Sequence, residues 1–132
     1  MNVMKTIARK RSIYLMLTFA AFCAGMLVGA NRYNAPTTVL HVSTVTWKPD
    51  ATPEQRAAAL AGIKTMAAEI PGIKNVWIKA TKVQPSERTA AFAIEFENKA
   101  AAEAYVAAPA HKAWEKIYIP LREESSNTQI TN

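Results

Sequence analysis

His41 and His111 are the two side chains of this sequence whose ordinary titration lies near neutrality, which suits them to general acid–base chemistry. His41 sits within the alternating run Val39 to Trp47, and His111 directly follows Pro109-Ala110. Tyr105, six residues before His111, adds a phenol able to donate to a carbonyl oxygen. Each also has a plainer reading. His41 fits a hydrogen-bonded core histidine, His111 a helix-start residue, and Tyr105 an aromatic that packs its ring and hydrates its hydroxyl. Glu95 is either a solvated strand carboxylate or a charge lining a cavity.

Other chemistries lack their residues. The single cysteine, Cys23, lies in an apolar N-terminal stretch, which removes both Cys–His catalysis and an intramolecular disulfide. The two histidines are far apart in sequence and have no third ligand beyond a guess at Glu95, so no metal is expected. Four glycines and no GxGxxG or GxSxG leave no phosphate cradle and no nucleophile elbow, and no cofactor is expected. No basic stripe interleaves with aromatics, so nucleic acid is not an expected partner.

The elements that must position these residues follow from pattern. Val39 to Trp47 reads as a strand, with Val39, His41, Ser43, Val45 and Trp47 on one face and Leu40, Val42, Thr44 and Thr46 on the other. Thr52-Pro53-Glu54-Gln55 is a capping-box start for an Ala-rich helix, striped by Leu60, Ile63, Ala67 and Ile70 and ended by Pro71-Gly72. Val76 to Val83 reads as the second strand and Thr89 to Glu97 as the third, with a turn at Gln84-Pro85-Ser86-Glu87. Asn98 caps a second Ala-rich helix that Pro109 interrupts near Ala107. A shorter helical piece from His111 to about Tyr118 follows, and a final strand is expected within Ser125 to Thr131.

The order βαββαβ predicts a ferredoxin-like α+β protomer. Two helices cover one face of such a sheet, and Phe92, Ile94 and Phe96 mark the expected helix side. The opposite face, with Val45, Trp47, Trp77 and Val83 assigned to it, is too apolar to meet water. A homodimer closed face to face is therefore expected. His41, Ser43 and Glu95 would point into the enclosed space, and Ser43, Trp47, Trp77 and Glu95 would line the cavity.

The net charge of +6 belongs mostly to the first 30 residues. Lys5, Arg9, Lys10 and Arg11 stand there with no acid, whereas residues 31–132 carry twelve bases and ten acids. Behind the basic cluster runs an uncharged stretch, Ile13 to Ala30, that ends in Val28-Gly29-Ala30. The pattern fits a cleaved signal peptide or an uncleaved N-terminal anchor, since its 18 residues lie between the usual lengths of the two. Either implies export: periplasmic, secreted, or anchored facing outward, with the membrane met only through that segment. The expected organisation is a leader over 1–30, a tether over 31–36 and one domain over 37–132.

Within that domain, Val39-Leu40-His41-Val42, Trp47 to Gln55, Glu69 to Ile73, Phe96-Glu97 and Ala104 to His111 resemble the stress-responsive A/B barrel (Dabb) family. The likeness spans roughly residues 37–121 and implies a ferredoxin-like protomer whose sheets pair into a dimeric α+β barrel. A plant polyketide cyclase of that family uses a strand-one histidine, a helix tyrosine and the histidine that ends a His-Pro-x-His motif. The resemblance assigns those roles to His41, Tyr105 and His111, with His111 removing an acidic C–H proton. Ala108 replaces the first histidine of that motif, Arg88-Thr89-Ala90 stands where many members show Tyr-Thr-His, and Lys79 stands where glycine is frequent. The expected function is binding of a small, mostly apolar molecule in the barrel, with cyclase-, lyase- or isomerase-like proton transfer by the three residues. Two alternatives stand beside it: a non-catalytic dimeric envelope or stress-response module, and a cofactor-free monooxygenase of the antibiotic-biosynthesis type.

Overall fold

The computed structural model describes residues 7, 14–17 and 34–132, and the chain divides into two units, Met1–Asn34 and Ala35–Asn132. In the first unit Ile7 and Tyr14–Leu17 are helical; the rest of the expected leader lies outside the described residues. Among the described residues, no helix is long and apolar enough to cross a membrane.

The second unit builds one antiparallel sheet. Strand β1 (Val39–Trp47) is followed by helix α1 (Pro53–Glu69), strands β2 (Ile73–Trp77) and β3 (Ala90–Phe96), helices α2 (Lys99–Tyr105) and α3 (Pro109–Tyr118), a 3-10 turn (Ile119–Leu121) and strand β4 (Arg122–Ile130). The sheet order is β2-β3-β1-β4, with every neighbouring pair antiparallel. This is the split-βαβ arrangement expected from the element order.

Helix α1 starts as its sequence requires. The Thr52 hydroxyl accepts from the Gln55 amide at 3.2 Å, and the Gln55 side chain accepts from the Thr52 amide at 2.8 Å. Its buried stripe is Ala59, Ile63 and Met66, with Leu60 and Ala67 at the flank, so the helix is rotated slightly from the expected Leu60–Ile63–Ala67–Ile70 line. Asn98 caps α2 by accepting from the Ala101 amide at 2.9 Å. Pro109 does not merely interrupt a helix. It occupies the first turn of α3, where its missing N–H costs nothing, so α3 begins two residues earlier than expected.

Two further expectations are corrected. Strand β2 spans Ile73–Trp77 rather than 76–83, because only its first residues find partners on β3, and residues 78–89 form a loop. The larger correction concerns the faces. His41 stands opposite Ile94, Ser43 opposite Phe92 and Val39 opposite Phe96 across the β1–β3 ladder. Directly paired residues share a face, so His41, Ser43, Val45 and Trp47 lie on the helix-covered side. Val45, Ile63, Ile94 and Phe96 are fully buried together there. The uncovered face instead carries Leu40, Val42, Thr44 and Thr46, with Ala91, Ala93, Glu95 and Trp77 in register.

Candidate active site

The site forms where two short helices meet the sheet. Helix α2 ends at Tyr105, and the chain reverses through Val106 to Ala108 before Pro109 restarts it as α3. That reversal seats His111, in the first turn of α3, directly against Tyr105, with ring centroids 4.1 Å apart. His41 projects from β1 toward the same place, its ring centroid 6.3 Å from that of Tyr105. All three line one cavity of about 180 Å³. By comparison, a cavity of about 150 Å³ accommodates a benzene ring.

Each histidine has a defined electrostatic position. His111 is buried and places Nδ1 3.2 Å from the Val106 carbonyl, near the C-terminal end of α2. A carbonyl only accepts, so Nδ1 donates, and in the neutral ring the lone pair is on Nε2. Nε2 lies 3.8 Å from Glu115 Oε1, one turn along α3, close enough for the carboxylate to stabilise a proton gained there. Glu115 is itself held below the usual carboxylate range, chiefly by a 2.8 Å bond from Lys112. Burial, and then the neighbouring His111, push the His41 pKa down, which favours neutral imidazole at pH 7. Burial raises the Tyr105 pKa strongly, helped by Glu115 and Tyr118, so the phenol keeps its proton. A base, a permanent phenol donor and a neutral imidazole thus face one space.

Of the other expected lining residues, Ser43 is there and three are elsewhere. Trp47 is buried beneath the edge of Tyr118, with centroids 5.9 Å apart, and packs in the core. Trp77 is half exposed on the uncovered face. Glu95 lies on that face too, bonded to Asn75, which holds its carboxyl below the usual range. Their distance from the cavity follows from the faces: Trp47 shares the site's face but lies at the far end of β1, and the other two point the opposite way.

Several cavity residues were not expected from the sequence. Trp114 and Tyr118 reach it from α3, Arg122 and Asn127 from β4, and Phe92 from β3. His111, Trp114 and Tyr118 recur at i, i+3 and i+7, the spacing of one helix face, and this signal could have found Tyr118. Trp114 stacks on Tyr118 at 4.5 Å and 10°, and donates its indole N–H to the Ala59 carbonyl at 2.8 Å, tying α3 to α1. Three buried polar atoms around the cavity have no hydrogen-bond partner: His41 Nδ1, Ser43 Oγ and the Tyr118 hydroxyl. Among the described residues no group of three His, Cys, Asp or Glu could hold a metal ion.

Fold and site together define a ferredoxin-like α+β domain with a small, partly polar cavity between helices and sheet. The model of the stress-responsive A/B barrel domain matches residues 39–128, and the chain belongs to that family, as its segments imply. A Dabb family protein with a ferredoxin-like fold from Mesorhizobium loti superimposes with a TM-score of 0.63 at 19% identity, over 72% of this chain and 96% of that one. A dimeric ferredoxin-like protein of unknown function from Bacteroides fragilis gives 0.59 at 20%, over 75% and 100%. SnoaB, a cofactor-independent oxygenase from Streptomyces nogalater, gives 0.60 at 14%, over 73% and 93%. At these identities the likenesses establish the fold. No curated protein matches the chain.

Proposed function

We propose that this Dabb domain binds a small oxygenated molecule in the cavity and moves a proton between its carbon atoms, in the manner of a cyclase, lyase or isomerase. The observation that carries the proposal is the meeting of His41, Tyr105 and His111 around one cavity of about 180 Å³. His111 Nε2 takes the proton from a carbon next to a carbonyl, and Glu115 steadies the resulting imidazolium. Tyr105, kept protonated by burial, donates to an oxygen of the bound molecule. His41, neutral and with Nδ1 unpartnered, completes the polar wall. The mixed lining favours a ring or short chain bearing at least one oxygen over a purely apolar molecule.

The dimer is part of this proposal. Trp77 is 49% exposed and Ile130 56% exposed on the uncovered sheet face, beside the partly buried Leu40, Val42 and Ala93. Such a face favours a second copy, which would leave the two cavities on the outer, helix sides of a paired sheet. The acid-free basic segment and apolar stretch ahead of the domain support export, and fractionation of host cells tests that placement.

Binding is tested with cyclohexanone as probe, following the imidazole signals of His41 and His111 by long-range ¹H–¹⁵N NMR. Both sets are expected to shift together and to saturate. Signals that stay unmoved up to the probe's solubility contradict the proposal. Oxygen consumption with quinol-like substrates that persists in His111→Ala would move the chain to the oxygenase reading.

A further inference from the structure

Ser43 and Tyr118 stand apart from the three residues given roles above. Ser43 is 1% exposed and Tyr118 4% exposed, yet neither hydroxyl has a partner in the protein. A buried polar group without a partner is costly and uncommon, and two on one small cavity call for a reason. Their positions are set rigidly. Ser43 lies in the middle of β1, paired with Phe92 on β3. The Tyr118 ring is held on three sides: stacked on Trp114, and edge to face with Phe92 at 6.0 Å and with Trp47 at 5.9 Å. Phe92 therefore neighbours both residues, one beside it in the sheet and one above it. The Arg122 guanidinium sits 5.2 Å from the Tyr118 ring centroid and brings positive charge to the same side. The cavity's one carboxylate, Glu115, is engaged with Lys112 and His111.

We infer that Ser43 and Tyr118 form an oxyanion site, so that the substrate class is a compact ketone or related carbonyl compound processed through its enolate. The inference rests on the proposed role of His111 for its reaction. The α C–H bond breaks, its proton goes to His111 Nε2, and its electron pair moves through the new C=C bond to the carbonyl oxygen. That oxygen, now negative, receives the Ser43 and Tyr118 O–H bonds. Return of the proton to the α carbon, on either face, re-forms the C=O bond and restores a neutral carbonyl compound, with no change in oxidation level. Donors fixed before the charge develops need no reorganisation when it does.

The test uses the full chain and 4-nitrophenol, whose phenolate oxygen imitates an enolate oxygen and whose anion absorbs in the visible. Below the phenol's own pKa, added protein is expected to raise the phenolate absorbance saturably. Ser43→Ala and Tyr118→Phe should each weaken anion binding roughly tenfold or more, the loss expected for a hydrogen bond to charge. Both variants should melt at or above the wild-type temperature, because each removes a hydroxyl that the protein does not partner. An anion signal in wild type that Ser43→Ala and Tyr118→Phe weaken, without proton exchange into a bound ketone, would uphold the oxyanion site and refute His111 as base. No absorbance rise in wild type, or affinities unchanged in both variants, overturns the inference.

Discussion

His41 and His111 share a cavity but face different demands, and a pH dependence follows. Burial and the neighbouring His111 depress the pKa of His41 in the folded chain below its unfolded value of about 6.5. On acidification the unfolded chain therefore takes up this proton first. The stability from a neutral His41 is complete above the unfolded pKa and is lost progressively as pH falls below it. Melting temperature is expected to drop between about pH 7.5 and about pH 5.5, above the range where carboxylates titrate. In His41→Gln the drop should be smaller. Equal pH slopes in scanning calorimetry would contradict this reading of His41. The three expected acid–base residues were legible because their side-chain chemistry is unusual in this sequence. Ser43 was legible as a cavity-lining residue but without a chemical role, and Tyr118 was not, since a serine in a strand and a tyrosine near a helix end have common structural uses. Only their missing hydrogen-bond partners single them out, and that is a property of the folded packing.

Local chemistry made some elements plain. The capping box at Thr52 and Gln55, the Asn98 cap and the stop at Gly72 each depend on residues a few positions apart. Gly72 has φ +83, and a Cβ there would lie 2.6 Å from Ala101 Cβ. Gly72→Ala is accordingly expected to cost more than about 1 kcal/mol, through both the positive φ and the contact. Ala101→Gly in the same chain should recover only the part due to contact, as thermal melts of the single and double variants will show. Helix α3 offers the opposite case. Its N-cap, Ala108, is extended and makes no side-chain cap bond. Ala108→Ser should stabilise the domain by about 1 kcal/mol, read as a rise in denaturation midpoint. What stayed hidden was non-local. Both faces of β1 are largely apolar or β-branched, so the alternation separates its residues into two sets without saying which set meets the helices. The register against β3 decides that, and a strand's register is set by partners distant in sequence. The same reason shortened β2, whose apolar run continues to Ile78 and Val83 although its pairing ends at Trp77.

At the scale of the whole molecule, the ferredoxin-like order was legible because each element carried its own start or stop signal. The placement of the cavity was not, since it depends on which sheet face the helices cover. With the helices over His41 and Ser43, the uncovered face is free to pair without occluding the site. Trp77→Lys is expected to convert the proposed dimer to monomer in native mass spectrometry of the full chain while leaving anion binding in the cavity intact. A dimer unaffected by that charge would place the contact elsewhere. The central claim, proton transfer at carbon by His111, is tested most directly by deuterium exchange into the α positions of cyclohexanone in D₂O, followed by mass spectrometry. The wild-type chain should accelerate exchange over buffer, and His111→Gln should lose about a hundredfold or more of that acceleration. Exchange no faster than buffer, or equally fast in His111→Gln, would contradict it.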